Sequence, residues 1–270
     1  MPQTIEEIVA RAETLRAAGR AAEAVAACEE ALALQPDCLP AHVCMARAKL
    51  PGDDYLAHLA RFHEALAPRV YLEIGVDAGR TLSLARPPTL ALGVDPTAKE
   101  GFPFVAPTRL FPVESDVFFS SGQAAEALAG RPVDLAFVDG LHLFEQALRD
   151  FIHVERRAAA DSVVLFHDCL PLTPATAARQ RTTGFWSGDV WKIVPILRRL
   201  RPDLTVLLIP AYPTGLLAVT RLDPASRALE EGYAAAVEAW RAKDWSGGPD
   251  DPPLPIIPNR WEDVRARLRR

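Results

Sequence analysis

Two apolar runs in this chain end in side chains whose types and spacing could do chemistry. Leu135-Ala136-Phe137-Val138 runs into Asp139-Gly140-Leu141-His142, and Val164-Leu165-Phe166 runs into His167-Asp168. If the runs are neighbouring strands, they lie about 4.8 Å apart. Asp139, His167 and Asp168 then converge on one small volume. Carboxylate and imidazole groups gathered in this way can hold a divalent cation, which would bind and acidify a hydroxyl. The competing reading makes His167 a hydrogen-bonded histidine with no metal. His153, in mid-helix, reads as structural.

A second constellation lies upstream, in Tyr71-Leu72-Glu73-Ile74-Gly75-Val76-Asp77-Ala78-Gly79-Arg80-Thr81. An apolar strand carries an acid near its end, and a Gly-x-x-x-Gly loop leads into a helix expected over residues 81–85. The glycines let the backbone pass close to a ligand, and a helix start offers free N–H groups to a carboxylate. Asp95 closes the next strand, where an acid can accept hydrogen bonds from ribose hydroxyls. A dinucleotide enzyme would more often show G-x-G-x-x-G.

The pattern E-x-G-x-x-x-G, with Asp95 one strand on, resembles motif I and the second acidic position of class I methyltransferases. The resemblance implies S-adenosylmethionine as cofactor. Glu73, Gly75, Val76, Gly79 and Thr81 would then border its methionine part, with Asp139 also beside the cofactor. Asp95 would hold the ribose, and Ser115-Asp116 would contact adenine. Ser115-Asp116 reads equally well as a plain helix cap. Residues 137–144, with Arg149-Asp150 and Phe166-His167-Asp168, resemble a bacterial subgroup written D-G-x-H-x-Y…D…H-D. That subgroup is similar to the magnesium-dependent sugar O-methyltransferases of macrolide biosynthesis, and the likeness covers about residues 68–220. It implies Asp139 and Asp168 as metal ligands, magnesium as a second cofactor, and His142 as general base. An imidazole suits that role because it titrates near neutrality; the other reading of His142 is a helix cap or cofactor contact. Phe144 replaces the subgroup's tyrosine, and His167 stands where the sugar enzymes carry an acid.

Residues 169–188 form a connection long enough to be functional in its own right. Within it Phe185 and Trp186 could stack on a substrate ring or close the site against water; alternatively they pack the loop down. Ser187-Gly188-Asp189 reads as the cap of the following helix, in which Trp191, Val194 and Leu197 should face inward and Pro195 should kink or shorten the regular part.

The elements that must position these groups follow from the changing hydrophobic period. Residues 70–74, 90–94, 108–112, 133–138 and 162–166 are short apolar runs, with helical stretches over 123–129 and 144–159. Such alternation predicts a parallel sheet covered on both faces. Residues 204–209 and 216–220 flank Pro213-Thr214-Gly215 and predict an antiparallel hairpin. The fold class is therefore α/β: a Rossmann-like, doubly wound, mostly parallel sheet ending in an antiparallel hairpin, preceded by a small all-α segment. Within that segment Gly19, Ala24, Cys28, Ala31 and Pro36 fall at the spacing of one tetratricopeptide-like repeat. A single repeat cannot bury its own faces, since about three are needed. It must dock on the following domain or a second copy, or recruit another protein. The expected divisions are 1–52 helical segment, 53–222 methyltransferase domain and 223–270 a helical and proline-rich tail. Leu56, Leu59, Phe62 and Leu66 mark an amphipathic helix opening the middle unit.

Composition limits the remaining classes. A net charge of −5 argues against a nucleic-acid partner, and the basic end (Arg265, Arg267, Arg269, Arg270) reads as a solvated helix face. No apolar stretch reaches the roughly 18 residues of a membrane span, and the acidic start from Met1-Pro2-Gln3 lacks a signal-peptide pattern. Four cysteines without CxxC spacing read as packing residues in a reducing compartment. A cytoplasmic enzyme acting on a small-molecule acceptor is expected, with self-association or a protein partner through the N-terminal helices. The alternative is a cofactor-binding scaffold with reduced catalysis.

Overall fold

A computed structural model describes residues 3–248 and 251–268. Met1 and Pro2 of the acidic start, residues 249–250 of the proline-rich stretch, and Arg269 and Arg270 of the basic end lie outside them. Three helices come first: α1 (Ile5–Ala17), α2 (Ala21–Leu34) and α3 (Leu39–Lys49). Thr4 and Glu7 form a reciprocal capping box that starts α1. Small residues (Ala12, Ala24, Cys28, Ala31, Ala41, Cys44) are completely buried where the helices meet, so the backbones approach closely. All four cysteines are free and buried, as expected for packing residues.

The next helix, α4 (Tyr55–Leu66), begins at Asp54, whose carboxylate accepts from the Ala57 N–H. Leu59 and Phe62 of the expected apolar stripe are fully buried, but so is His58, and His63 is nearly so. Then come β1 (Val70–Ile74), β2 (Leu90–Val94), β3 (Thr108–Phe111), α5 (Ser115–Ser120), α6 (Gln123–Leu128), β4 (Val133–Val138), α7 (Phe144–Glu155) and β5 (Ala158–His167). The chain continues through α8 (Ile193–Leu200), β6 (Thr205–Ile209), β7 (Leu216–Thr220), α9 (Ala228–Arg241) and α10 (Trp261–Leu268).

The seven strands order as β3-β2-β1-β4-β5-β7-β6. Neighbours from β3 to β5 pair in parallel, while β7 runs antiparallel to both β5 and β6. The expected sheet and its terminal hairpin are thus present. Period-2 alternation sends Val70, Leu72 and Ile74 into one apolar layer with α5–α9. Tyr71 and the alternate residues of the other strands face a second layer with α4 and α10. Because both faces are buried, the strands are continuous apolar runs.

Three expectations change. The helix over 81–85 is a single 3-10 turn, Leu82–Leu84; Pro87 and Pro88 follow at once and cannot continue it. The helical stretch 144–159 ends at Glu155, since Ala158 already belongs to β5 and pairs with Val133. Asp189 makes no side-chain cap on the helix it precedes. Its carboxylate instead caps α7, accepting from the Phe144 N–H at 2.9 Å. Pro195 falls in the first turn of α8, after one 3-10 turn, and so shortens the regular helix; Trp191, Val194 and Leu197 are buried as expected.

Past α9 the proline-rich tail lies along the outer edge of β6. Leu208 donates its N–H to the Pro255 carbonyl at 3.1 Å and accepts from the Ile257 N–H at 2.9 Å. Among the described residues no helix is long and apolar enough to cross a membrane.

Candidate active site

A cavity of about 900 Å³ opens over the carboxyl ends of β1, β2, β4 and β5, within the size range of small-molecule sites. In an open α/β sheet ligands gather at this end. Here β1 lies between β2 and β4, so chain connections leave in opposite directions and a crevice forms between them.

One end of the cavity is built by the glycine loop. Gly75 has φ +87°, and a Cβ there would sit 2.0 Å from the Asp139 carbonyl oxygen. Only glycine lets the β1 and β4 loops touch this closely. Gly79, at φ +84°, is covered by the Phe104 ring. Gly75, Val76, Thr81 and Asp95 line the cavity, whereas Glu73 and Gly79 do not. Glu73 lies wholly buried beneath the loop and accepts from the Tyr71 hydroxyl at 2.5 Å and the Thr81 hydroxyl at 2.7 Å. Burial pushes its pKa up to about 8, against the pull of those two hydroxyls.

Asp95 is braced to the same loop. One carboxylate oxygen accepts from the Val76 and Asp77 N–H groups at 2.8 and 2.9 Å. The other accepts from the Thr97 N–H at 2.7 Å and its hydroxyl at 3.2 Å. All four acceptor positions of this carboxylate are therefore engaged by the chain itself. Burial works against its charge, but the N–H groups of Asp77, Thr97 and Val76 outweigh it and hold its pKa below the usual range. Ser115 and Asp116 also line the cavity. They open α5, and Ser115 donates to the buried Asp150 at 2.6 Å. Burial raises the Asp150 pKa to about 6.

The other end gathers the acids and imidazoles of β4 and β5. Val138 pairs with Phe166, which sets Asp139 beside His167 and Asp168. His167 Nδ1 lies 3.3 Å from Asp139 and 3.5 Å from Asp168. Burial lowers the His167 pKa, yet the two carboxylates more than offset this and raise it to about 9. Asp139 is lowered, because the charge and hydrogen bond of His167 and the nearby His142 overcome burial. Asp168 is raised, chiefly by burial. Thr214 donates to Asp168 at 2.5 Å, and Tyr55 packs its ring on His167 at 4.3 Å.

His142 Nδ1 lies 3.1 Å from Asp168 Oδ2, and its Nε2 lies 3.6 Å from Asp139. The first approach is not aligned as a hydrogen bond: Asp168 Oδ2 and His142 Nδ1 are both buried without a hydrogen-bond partner. His142 and Asp168 also hold left-handed backbone, at φ +50° and +62°, a conformation that costs energy and tends to persist at functional sites. Asp139, His142 and Asp168 present ligand atoms all within 4.8 Å of one another. His167, expected in that set, falls outside this group and lies against it, its Nδ1 3.3 Å from Asp139.

Phe185 and Trp186 line the cavity as expected, but one face of each ring is already taken. Trp186 stacks on His142 at 5.2 Å with 15° between planes, and Phe185 stacks on His42 at 5.6 Å with the same angle. His153 stacks on Phe119, a packing role. Sequence reasoning missed Tyr55, which reaches the site only because its N–H donates to the Tyr212 carbonyl and docks the start of α4 there. Arg80, within the quoted loop, also lines the cavity; its basic side chain was the available signal.

A family profile described as a methyltransferase domain matches residues 72–169, a span from β1 through the end of β5. Among solved structures the chain is similar to an O-methyltransferase from Bacillus cereus in complex with SAH. The identity is 14%, over 65% of this chain and 86% of that one, with a TM-score of 0.44. It is also similar to the O-methyltransferase TomG of Streptomyces achromogenes, involved in tomaymycin synthesis and in complex with SAM: 14% identity, 62% and 79% coverage, TM-score 0.45. Resemblances this slight carry no weight for function. No curated protein matches the chain significantly.

Proposed function

We propose that the protein transfers a methyl group from S-adenosylmethionine to an oxygen of a small polar acceptor. The observation carrying this reading is that one cavity joins two ends of different chemistry. One is a glycine loop braced by an acid, the other a partly buried acid–imidazole cluster. The family profile spans both ends and supports it.

In this reading Gly75, Val76 and Thr81 border the methionine part, with Glu73 and Gly79 supporting the loop. Asp95 faces the ribose, whose hydroxyl would displace that of Thr97 from its 3.2 Å bond to the carboxylate, and Ser115 and Asp116 face the adenine. The sulfonium compound supplies the methyl group. The chain's work is to hold the acceptor in line with it and remove the acceptor's proton. His142 takes that proton through Nε2, and the charge of Asp168, 3.1 Å from Nδ1, stabilises the imidazolium that forms. Asp139, charged and paired with His167, marks the boundary between cofactor and acceptor. Phe185 and Trp186 wall the acceptor side.

A second arrangement of the same cluster is favoured by the orphaned Asp168 Oδ2 and His142 Nδ1. Asp139, His142 and Asp168 fit a divalent cation, the carboxylates suiting magnesium or manganese and the imidazole favouring a transition metal. Bound there, such an ion would acidify the acceptor hydroxyl. A metal on His142 Nδ1 would put the ring's proton on Nε2, so this arrangement replaces the base role of His142 rather than adding to it.

The divisions 1–52, 53–222 and 223–270 remain our reading of the chain's organisation, with α1 and α2 as a tetratricopeptide-like pair and the cytoplasm as its compartment. Calorimetric titration with S-adenosylmethionine, S-adenosylhomocysteine and NAD tests the assignment: binding of the first two and not the third is expected, and no binding of the sulfonium compound refutes it. Turnover of a labelled methyl group with and without magnesium then separates an enzyme from a cofactor-binding scaffold and tests the metal.

A further inference from the structure

The N-terminal helices touch the cavity wall at several independent points. Asp37, just after α2, accepts a hydrogen bond from the Gly184 N–H. The His42 ring on α3 stacks on Phe185. Lys49, at the end of α3, donates to the Leu172 carbonyl at 3.0 Å. Leu172 is itself buried in the core of the helical segment, and Phe185 packs against that core. These contacts fall on both ends of the 169–188 connection, whose middle is held by Thr173–Thr176 and Ser187–Thr176 bonds and by the ion pair of Arg179 with Glu145 of α7.

Consecutive residues of this connection face in two directions. Phe185 stacks on a histidine of the helical segment, and Trp186 stacks on His142 of the acid–imidazole cluster. Gly188 and Asp189 follow: a Cβ on Gly188 would meet the His142 carbonyl oxygen at 2.0 Å, and the Asp189 N–H donates to that oxygen at 3.2 Å. A chain of direct contacts therefore runs from α3 to the imidazole. Burial lowers the His42 pKa, and its Nδ1 has no hydrogen-bond partner, so its contact with Phe185 is made by the ring face.

We infer that the N-terminal helices position the cavity wall and His142, with Asp37 and His42 as the positioning residues that hold Phe185 and Trp186 in place. A repeat-like segment that cannot bury its own faces finds its partner within the chain. Only the consequence for proton transfer rests on the methyl-transfer reading; the bracing itself does not.

Hydrogen exchange on the full-length protein tests this, with S-adenosylhomocysteine calorimetry alongside. In Asp37→Ala/His42→Ala, peptides spanning 176–189 should exchange at least about tenfold faster, while those of β4 and β5 stay as in the parent. Asp37→Asn/His42→Phe keeps an acceptor oxygen and a stacking face, and should restore parental exchange. Unchanged exchange in the alanine variant, or equal loosening in the conservative one, overturns the inference. Should the double alanine variant also loosen β4 and β5, the surface change Asp37→Ala decides. Faster exchange confined to 176–189 supports the brace, and none overturns it. Failure of the parent protein to bind S-adenosylhomocysteine would sink the methyl-transfer reading and leave the exchange result to stand by itself.

Discussion

The two ends of the cavity differ in how far the chain satisfies its own polar groups. At the glycine loop, every acceptor position of Asp95 is met by backbone or by Thr97. At the β4–β5 end, Asp168 Oδ2 and His142 Nδ1 stay buried and unmatched, and both residues hold strained backbone. The loop end is finished architecture, shaped in advance for a ligand's outline. The other end carries unmet bonding capacity, which is costly to maintain unless a ligand or a reaction uses it. The contrast separates binding from chemistry.

If that separation is right, His142→Gln has the largest effect on turnover and almost none on cofactor affinity. Labelled methyl transfer should fall by about 10²–10⁴, the usual weight of a general base, while S-adenosylhomocysteine binding stays within a factor of about two. A parallel loss of both would merge the two ends. Gly75→Ala strikes their single point of closest approach. A Cβ 2.0 Å from Asp139 O at φ +87° should cost about 3 kcal/mol, a fall of roughly 10 °C in the melting temperature, with loss of S-adenosylhomocysteine binding. An unshifted melt would mean the loops separate easily.

Asp95→Asn sharpens the loop end alone. It removes the charge and one oxygen acceptor from four hydrogen bonds, so S-adenosylhomocysteine affinity should drop about tenfold to a hundredfold, measured by calorimetry, with the magnesium response unaltered. The smallest effect on binding and turnover belongs to Glu73→Gln. With the folded pKa raised to about 8 from an ordinary 4.5, the folded state keeps a proton that the unfolded state releases. Stability should therefore decline as pH rises through that window and level off above it. The glutamine variant lacks this decline. Thermal melts should show it gaining on the parent between pH 5 and 8, by on the order of ten degrees at the top, and parallel curves would place the ionised carboxylate in the folded state.

The loop end and the strand-end acids were legible because their determinants are local. Strands buried on both faces are unbroken apolar runs, and Gly75, Asp95, Asp139 and Asp168 each stand where such a run stops. His142 was legible as a residue but not in its setting, since its carbonyl is met closely by Gly188, far along the chain. Asp189 looked like a cap for the helix beside it, yet its carboxylate serves α7; which helix a cap reaches is decided by tertiary packing. Tyr55 gave no signal, as it enters the site only through the docking of α4. The shortened turn after Thr81 was different: Pro87-Pro88 stood in plain view, and a rigid pair that cannot donate was enough to stop a helix there.

The tail strap along β6 has a consequence for how the molecule meets its neighbours. An open strand edge is a template on which other chains can add. Here that edge is taken by a segment in which Pro252, Pro253, Pro255 and Pro258 lack the N–H a further strand would need. On the β6 side the ladder ends on a row with few donors, so addition of a further strand is discouraged there, and β3 is left as the other edge of the sheet.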